Sequence, residues 1–189
     1  MNPQIRGLHH NAYRCSDSER TRRFYEDFLG LPLAGALEIG ETKTGRRTAA
    51  LHTFFQLGDG SYLAFFEVPD MAFEFKPQHD FDLHIALEVA PEMLVPMREK
   101  ARREGIEVRG ISDHGFIDSI YLRDPDGYVV ELCARRPGSG DAMDPAQARH
   151  ALQRWQSGKQ VPQQQQQRAA RVERPARRAR QAWPECWAW

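Results

Sequence analysis

Two histidines and one glutamate are the side chains of this sequence whose types and spacing could do chemistry. His10 opens His-Asn-Ala-Tyr-Arg and His84 opens His-Ile-Ala-Leu-Glu, so one His-x-Ala-x-charge pattern occurs twice. About twenty residues after each comes a glycine that ends a helical pattern, Gly30 and Gly105. Two imidazoles and a carboxylate bind a divalent metal and leave about three positions open, as in non-haem Fe(II) oxygenases. The repeat therefore predicts one metal site with His10, His84 and Glu131 as its ligands.

The same repeat predicts three protein ligands rather than four. Glu131 lies four residues after the turn glycine Gly127, and the corresponding residue after Gly60 is Ala64. Glu67 lies three residues beyond Ala64. Since side chains alternate between the two faces of a strand, Glu67 is expected on the opposite face unless a bulge intervenes.

The elements that must position these ligands also repeat. Residues 1–68 and 82–136 each predict strand, helix and three strands, with 69–81 as a linker. Strands are predicted over 7–15, 32–39, 48–57, 61–68, 82–90, 106–111, 116–123 and 128–135, and helices from Ser16 to about Phe28 and over 91–104. Modules this small should pack against each other. We expect an α+β fold in which two paired βαβββ modules form a curved mixed sheet around a metal cup.

The C-terminal part has a different composition. Residues 137–158 form an extension with a predicted helix over 144–157, for which Asp144 is the cap. Residues 159–189 are rich first in Gln, then in Arg, with scattered Trp and no apolar periodicity. We expect this tail to be disordered.

The overall composition excludes several classes of protein. Lys and Arg number 26 and Asp and Glu number 26, which argues against nucleic-acid and membrane partners. The 3 cysteines have no spacing typical of a disulfide framework, and no apolar run reaches the roughly 18 residues of a membrane span. The expected location is therefore cytoplasmic.

Together these residues resemble the vicinal oxygen chelate superfamily. It includes glyoxalase I, fosfomycin-resistance thiol transferases, bleomycin-resistance binding proteins and extradiol ring-cleaving dioxygenases. The resemblance covers about residues 5–135. It is carried by His10, by Phe24-Tyr25-Glu26-Asp27-Phe28-Leu29-Gly30-Leu31, by His84-Ile85-Ala86-Leu87 and by Ser119-Ile120-Tyr121-Leu122-Arg123-Asp124-Pro125-Asp126-Gly127-Tyr128-Val129-Val130-Glu131. It implies paired βαβββ modules around an open metal cup and places His10, His84 and Glu131 at the metal positions.

Within the superfamily, the details favour the ring-cleaving branch. The glyoxalase I pattern has a glutamate where this chain has Ala64. Tyr121 stands ten residues before Glu131, as in extradiol enzymes, and Asp113-His114-Gly115 resembles that branch too.

One departure concerns proton transfer. Extradiol enzymes usually carry an acid/base histidine near the start of the fourth strand, where this chain has Gly60-Ser61. The proton work is then expected to fall to His114, His52 or Tyr121.

Strand parity also predicts the wall of the cup. Phe54, Tyr62 and Phe66 share a face with His52, and aromatic rings in such a site suit a flat, apolar substrate. The alternative is that Phe54 and Phe66 are simply core residues.

The resulting expectation is an Fe(2+) enzyme that cleaves a small catechol-like aromatic diol with O2. Mn(2+), Zn(2+) or Ni(2+) would suit the alternatives, a lyase, isomerase or thiol transferase. A metal-free protein that binds small molecules is a further alternative. A homodimer is possible, and the modules could pair within a chain or between chains.

Overall fold

The computed structural model describes residues 4–76, 79, 81–139 and 144–159. These fall into two compact units, one ending at Arg136 and the other beginning at Pro137. The tail for which the sequence predicts disorder, 159–189, lies outside the described residues except for Lys159. Among the helices that are described, none is long and apolar enough to cross a membrane.

The first module is a four-stranded mixed sheet with a helix. Its strands lie in the order β1-β4-β3-β2, and β1 runs parallel to β4 while the other pairs are antiparallel. In chain order the elements are β1 (His10–Cys15), α1 (Ser18–Arg22) with a π-helical continuation (Arg23–Phe28), β2 (Leu33–Glu41), β3 (Arg47–Gln56) and β4 (Tyr62–Glu67).

The second module repeats this topology. Its sheet has the order β5-β8-β7-β6. The edge strand β5 runs parallel to β8, as β1 runs parallel to β4 in the first sheet. The elements are β5 (Ile85–Glu88), a 3-10 turn (Pro91–Met93), α2 (Leu94–Arg103), β6 (Val108–Asp113), β7 (Ile117–Arg123) and β8 (Val129–Arg135). The α+β fold of two βαβββ modules is therefore confirmed, and its strands form two four-stranded sheets. β5 is shorter than predicted, so that His84 immediately precedes it.

One face of each sheet forms a common hydrophobic core. The inward side chains alternate along the strands: Phe55, Leu63 and Phe65 come from the first sheet, and Ile120 and Leu132 from the second. Burial of this apolar surface holds the helices on the sheets. The opposite face of each sheet is thereby left to carry polar and aromatic side chains.

The helix start and the π-helical segment follow from local sequence. Asp17 caps α1, because its Oδ1 accepts the backbone N–H of Arg20 at 2.7 Å. The wider π turn that follows allows Phe24, Tyr25 and Phe28 all to be buried.

The turn between β7 and β8 joins the two modules. Tyr25 donates a hydrogen bond of 3.1 Å to Asp124 Oδ2, and Ser16 N–H donates one of 3.1 Å to Asp126 Oδ2. Backbone N–H groups of Asp126 and Tyr128 donate to Asp124 Oδ1. Burial outweighs these bonds and raises the pKa of the Asp124 carboxyl to about 6.

The second unit contains α3 (Pro145–Gly158), which confirms the predicted C-terminal helix. Asp144 is its N-cap and accepts N–H groups of Ala146 and Gln147. Pro145 occupies the first turn, where its missing N–H costs no hydrogen bond.

Candidate metal centre

The open face of the second sheet brings together two of the three predicted ligands. His84 Nε2 lies 3.3 Å from Glu131 Oε2, and the side chains are 38% and 7% exposed, respectively. Glu131 is positioned by β8, where it lies opposite Ala86 on one side and Tyr121 on the other. We call this surface the second open face.

Tyr121 and His114 extend this group. Tyr121 OH and His114 Nε2 share a hydrogen bond of 2.9 Å, and His114 is exposed. Burial, and after it the negative charge and hydrogen bond of Glu131, raise the pKa of Tyr121. An ordered set of polar groups therefore leads from Glu131 to solvent.

An open cavity of about 550 Å³ adjoins these residues. His84 and Tyr121 line it, together with Arg109 and the Arg123–Glu107 ion pair of 3.3 Å. His79 and Phe81 also reach it from the segment between the modules. Its size is in the range of small-molecule sites.

The open face of the first sheet, the first open face, holds the remaining predicted ligand among aromatic rings. The His10 ring lies 6.0 Å from the His52 ring and 5.7 Å from that of Phe54, centroid to centroid. His52 stacks on Phe66 at 3.6 Å. Tyr62 completes the wall, 6.0 Å from Phe54. The alternation of side chains along the strands predicted that Phe54, Tyr62 and Phe66 share a face with His52, and the structure places them together.

His52 has a specific tautomer in this wall. Its Nδ1 lies 3.0 Å from the carbonyl oxygen of Phe65, which only accepts, so Nδ1 carries the proton. Burial lowers the pKa of His52. His52 therefore presents a neutral ring in the first open face, on a different sheet from His114 and Tyr121.

The neighbouring His9 contacts the predicted ligand directly. His9 Nδ1 and His10 Nδ1 share a hydrogen bond of 2.8 Å. This bond leaves His10 Nε2 as the ring nitrogen available to a metal. The alternation of side chains along a strand does not predict this contact, because it places adjacent residues on opposite faces.

Glu67 and Ala64 lie as parity predicts. Glu67 Oε2 accepts a hydrogen bond of 2.7 Å from the backbone N–H of Ser18, which is the first residue of α1. Ala64 is fully buried between Ala12 and Phe54 in the first sheet. Neither residue contributes a ligand to the first open face.

The three predicted ligands do not meet in one chain. Within the residues that the structure describes, no group of three His, Cys, Asp or Glu side chains is arranged to hold a metal ion. The sequence left open whether the modules pair within a chain or between chains, and one chain by itself does not bring three such donors together among its described residues. The modules contact each other through their helices, where Lys100 Nζ donates to the Phe28 carbonyl oxygen at 2.7 Å, and through the β7–β8 turn.

The donor types present still suit a divalent metal. Glu131 is only 5% exposed and has an imidazole beside it, and a buried carboxylate is costly unless a cation or hydrogen bonds compensate it. His10, on the first open face, is exposed and carries a second imidazole.

Arg109 is a candidate that sequence analysis missed. Its Cζ lies 5.4 Å from the centre of the Tyr121 ring, and the two residues are opposite each other in the β6–β7 pair. The alternating pattern of β6 could have shown which face Arg109 occupies, but not which residue of β7 it contacts. An irregularity between Gly110 and Ser112 shifts that register.

Comparisons with known proteins agree on one superfamily. The family model described as Glyoxalase/Bleomycin resistance protein/Dioxygenase superfamily matches residues 7–132. The metallothiol transferase FosB of Bacillus licheniformis is 32% identical over 133 residues, which are 69% of this chain and 77% of FosB.

Two further proteins show the breadth of the likeness. The putative ring-cleaving dioxygenase MhqA of Bacillus subtilis is 27% identical over 143 residues, 72% of this chain but only 43% of MhqA. Among solved structures, the fosfomycin resistance protein FosX of Listeria monocytogenes, in complex with Mn(II) and sulfate, has a TM-score of 0.54 at 20% identity. That match covers 72% of this chain and 98% of FosX and shows a shared fold.

Proposed function

Because this chain belongs to the Glyoxalase/Bleomycin resistance protein/Dioxygenase superfamily, we propose that it is a metal-dependent enzyme of the extradiol type. Its substrates would be O2 and a small catechol-like diol. The observation that carries this proposal is the second open face, where the His84–Glu131 pair adjoins the Tyr121–His114 hydrogen bond. A diol needs both a place for two vicinal oxygens and a group that handles their protons.

The metal would be Fe(2+), held by His10, His84 and Glu131, with Mn(2+), Zn(2+) or Ni(2+) as alternatives. A metal of this kind supplies Lewis acidity and brings the diol and O2 together. Glu131 contributes the negative charge, and the two histidines are neutral donors that leave positions open for substrate.

Tyr121 and His114 would handle protons. The Tyr121 hydroxyl is close to Glu131, so it can hydrogen bond to an oxygen of the bound diol. His114 can pass the proton to solvent, because it is exposed and bonded to the hydroxyl at 2.9 Å. His52, in the first open face, would orient substrate through its stack with Phe66 rather than exchange protons.

We propose that a homodimer completes the site. His10 and Ala12 are exposed on β1, and so are His84, just before β5, and Ala86, on β5. One open face carries one ligand and an aromatic wall, and the other carries two ligands. A twofold dimer can oppose the first open face of one protomer to the second open face of its partner, which forms two identical sites.

Mixed variants test this arrangement. His10→Ala and Glu131→Gln each remove one ligand, and each homodimer should lose bound metal. If sites form between chains, unfolding and refolding a mixture restores one complete site per heterodimer, roughly a quarter of all sites. Metal content by atomic spectroscopy and O2 uptake with catechol should rise together in the mixture. No recovery, in mixtures shown to contain heterodimers, would exclude the shared site.

A second candidate is a metal-dependent thiol transferase, which the 32% identity to FosB favours. The same three ligands would hold the metal, and the aromatic wall would take an electrophilic substrate. The two reactions consume different co-substrates. Oxygen electrodes with a catechol panel and thiol titration with fosfomycin therefore separate them. Purification without air followed by metal analysis separates both from a metal-free binding protein.

A further inference from the structure

His52 is a buried polar residue within the aromatic wall of the first open face. The Phe66 ring stacks on it at 3.6 Å with an interplanar angle of 9°, and the Phe54 ring lies 4.2 Å away, centroid to centroid. The residue is 7% exposed. The rings around it therefore hold this imidazole in one position, and little of it contacts solvent.

The two ring nitrogens of His52 differ in their hydrogen bonding. Nδ1 donates to the Phe65 carbonyl oxygen at 3.0 Å. Burial lowers the pKa of the ring, so Nε2 of the neutral imidazole carries a lone pair and acts as an acceptor. Within the part of the chain that the structure describes, no group donates a hydrogen bond to Nε2. The role of His52 in the fold accounts for Nδ1 but not for Nε2.

An acceptor in this place discriminates between ligands. An apolar group that covers Nε2 takes water from it and returns no donor, which is unfavourable. A ligand that brings its own O–H or N–H to Nε2 avoids this cost. A phenylalanine at residue 52 would fill the wall without such a requirement, so the histidine adds a chemical preference to an otherwise apolar surface.

His52 lies within reach of a molecule bound at His10. Their rings are 6.0 Å apart, and both belong to the same face of the same chain. This distance is therefore independent of how two protomers pair. Under the proposed function His10 is a metal ligand, so the ring of a bound diol lies beside His52 and Phe66.

The hydroxyl that reaches Nε2 is distinct from the metal-binding pair. Oxygens bound to a divalent cation lose their protons readily, which leaves them as acceptors only. Nε2 is also an acceptor, and two acceptors do not form a hydrogen bond. A further hydroxyl on the aromatic ring keeps its proton and can donate it in a hydrogen bond.

We propose that His52 is a specificity-determining residue whose Nε2 accepts a hydrogen bond from a third hydroxyl of the substrate. The inference rests on the proposed function and names its substrate class, aromatic diols that carry a further hydroxyl group. His52 keeps its own proton on Nδ1 throughout, so it selects and orients the substrate without exchanging protons.

Nuclear magnetic resonance of the full chain loaded with diamagnetic Zn(2+) tests the contact directly. The probes are 1,2,3- and 1,2,4-trihydroxybenzene, with 3- and 4-methylcatechol as counterparts in which a methyl group replaces the third hydroxyl. At least one triol should move the 15N resonance of His52 Nε2 towards that of a protonated ring nitrogen, and its methyl counterpart should not. The signal is assigned by its loss in His52→Phe. Equal shifts with triols and methylcatechols would overturn the inference.

Calorimetry on the same Zn(2+)-loaded chain, with oxygen excluded, measures the preference. That triol should bind about three- to tenfold more tightly than its methyl counterpart, the usual effect of one hydrogen bond between neutral groups. His52→Phe should abolish the ratio, because it keeps a ring for Phe66 to stack on and removes the acceptor. A ratio of one in wild type, or an unchanged ratio in His52→Phe, would refute the role of His52.

Two further variants serve as controls. His52→Gln places an amide oxygen near the position of Nε2 and should retain part of the ratio. Arg103→Ala removes an exposed arginine from α2 and should keep the wild-type ratio. Loss of the ratio in Arg103→Ala would mean that the preference does not arise at His52.

Oxygen uptake by the Fe(2+)-loaded chain separates this inference from the proposed function. If the triol preference depends on His52 but no diol consumes O2, the acceptor site stands and ring cleavage does not. If diols consume O2 while His52→Phe leaves the preference unchanged, ring cleavage stands and the role of His52 is refuted.

Discussion

Single side chains distinguish two modules that share one backbone plan. Ala64 and Glu131 occupy the corresponding place on β4 and β8, each opposite a small residue on the parallel outer strand, Ala12 or Ala86. Both places have the same small partner residue, but only one carries a carboxylate. The proposed three-ligand site is thus a consequence of a single residue difference within the repeat.

Restoring the missing carboxylate tests this account. Ala64 is fully buried, so Ala64→Glu should lower the free energy of unfolding of the metal-free protein, by about 2–4 kcal/mol. Added Mn(2+) should then raise the melting temperature of the variant more than that of wild type, since a fourth oxygen ligand binds it. Catechol turnover should fall as an open position is lost.

Ala64→Gln is the matched control, since it has similar size without the charge. It should share the destabilisation but gain less from metal. Equal metal-induced shifts in wild type and Ala64→Glu would show that residue 64 does not face the metal.

At the scale of elements, the β7–β8 turn decides how the modules pack. Asp124 accepts hydrogen bonds from its own turn and from Tyr25 of the first module. Arg20 Nη2 donates to the Pro125 carbonyl oxygen at 3.0 Å, which adds a further link. A short acidic turn therefore fixes the orientation of one βαβββ unit against the other.

This turn predicts a pH dependence of stability. The pKa of Asp124 is raised from 3.8 to about 6 by burial, so the native state holds this proton more tightly than the unfolded chain. Its contribution is complete below about pH 4 and is lost as the pH rises through 6, at most roughly 3 kcal/mol. Asp124→Asn should flatten that part of the profile in denaturant titrations at pH 4, 5, 6 and 7.

Tyr25→Phe provides the comparison, since it removes the hydroxyl and keeps the buried ring. It should lower stability at every pH and leave the slope between pH 4 and 6 largely in place, because burial is the main cause of the shift. An unchanged slope in Asp124→Asn would assign the pH dependence to another group.

At the scale of the whole molecule, the compact unit ending at Arg136 contains all the predicted ligands. The family model matches within that unit, over residues 7–132. Fold and proposed site therefore reside in about the first two thirds of the chain, and the rest is an addition to them.

Removing residues 159–189 should leave the melting temperature and metal content unchanged. The Gln163–Gln167 run and the Arg-rich segment have no apolar periodicity, so burial does not offset the ~1–2 kcal/mol per residue of ordering entropy. Calorimetry and metal analysis of a chain ending at Gly158 check this. A melting temperature lower by many degrees would mean that the tail packs on the folded part.

The alternation of side chains along each strand was enough to predict from the sequence which residues share a face of the sheet. It grouped His52, Phe54 and Phe66 on one face and placed Glu67 on the other, because side-chain direction along a strand depends only on residue number. The turns and glycines likewise defined both βαβββ modules, since their conformational preferences act over a few residues.

Tertiary structure decided which side chains meet across strands and modules. Only pairing of β6 with β7 brings Arg109 to Tyr121, and only the packing of the modules decides that no three such donors are arranged for a metal among the described residues of one chain. A symmetrical repeat is compatible with open faces that meet in one chain or in two. The choice depends on long-range contacts such as Tyr25 with Asp124, whose energies no local pattern encodes.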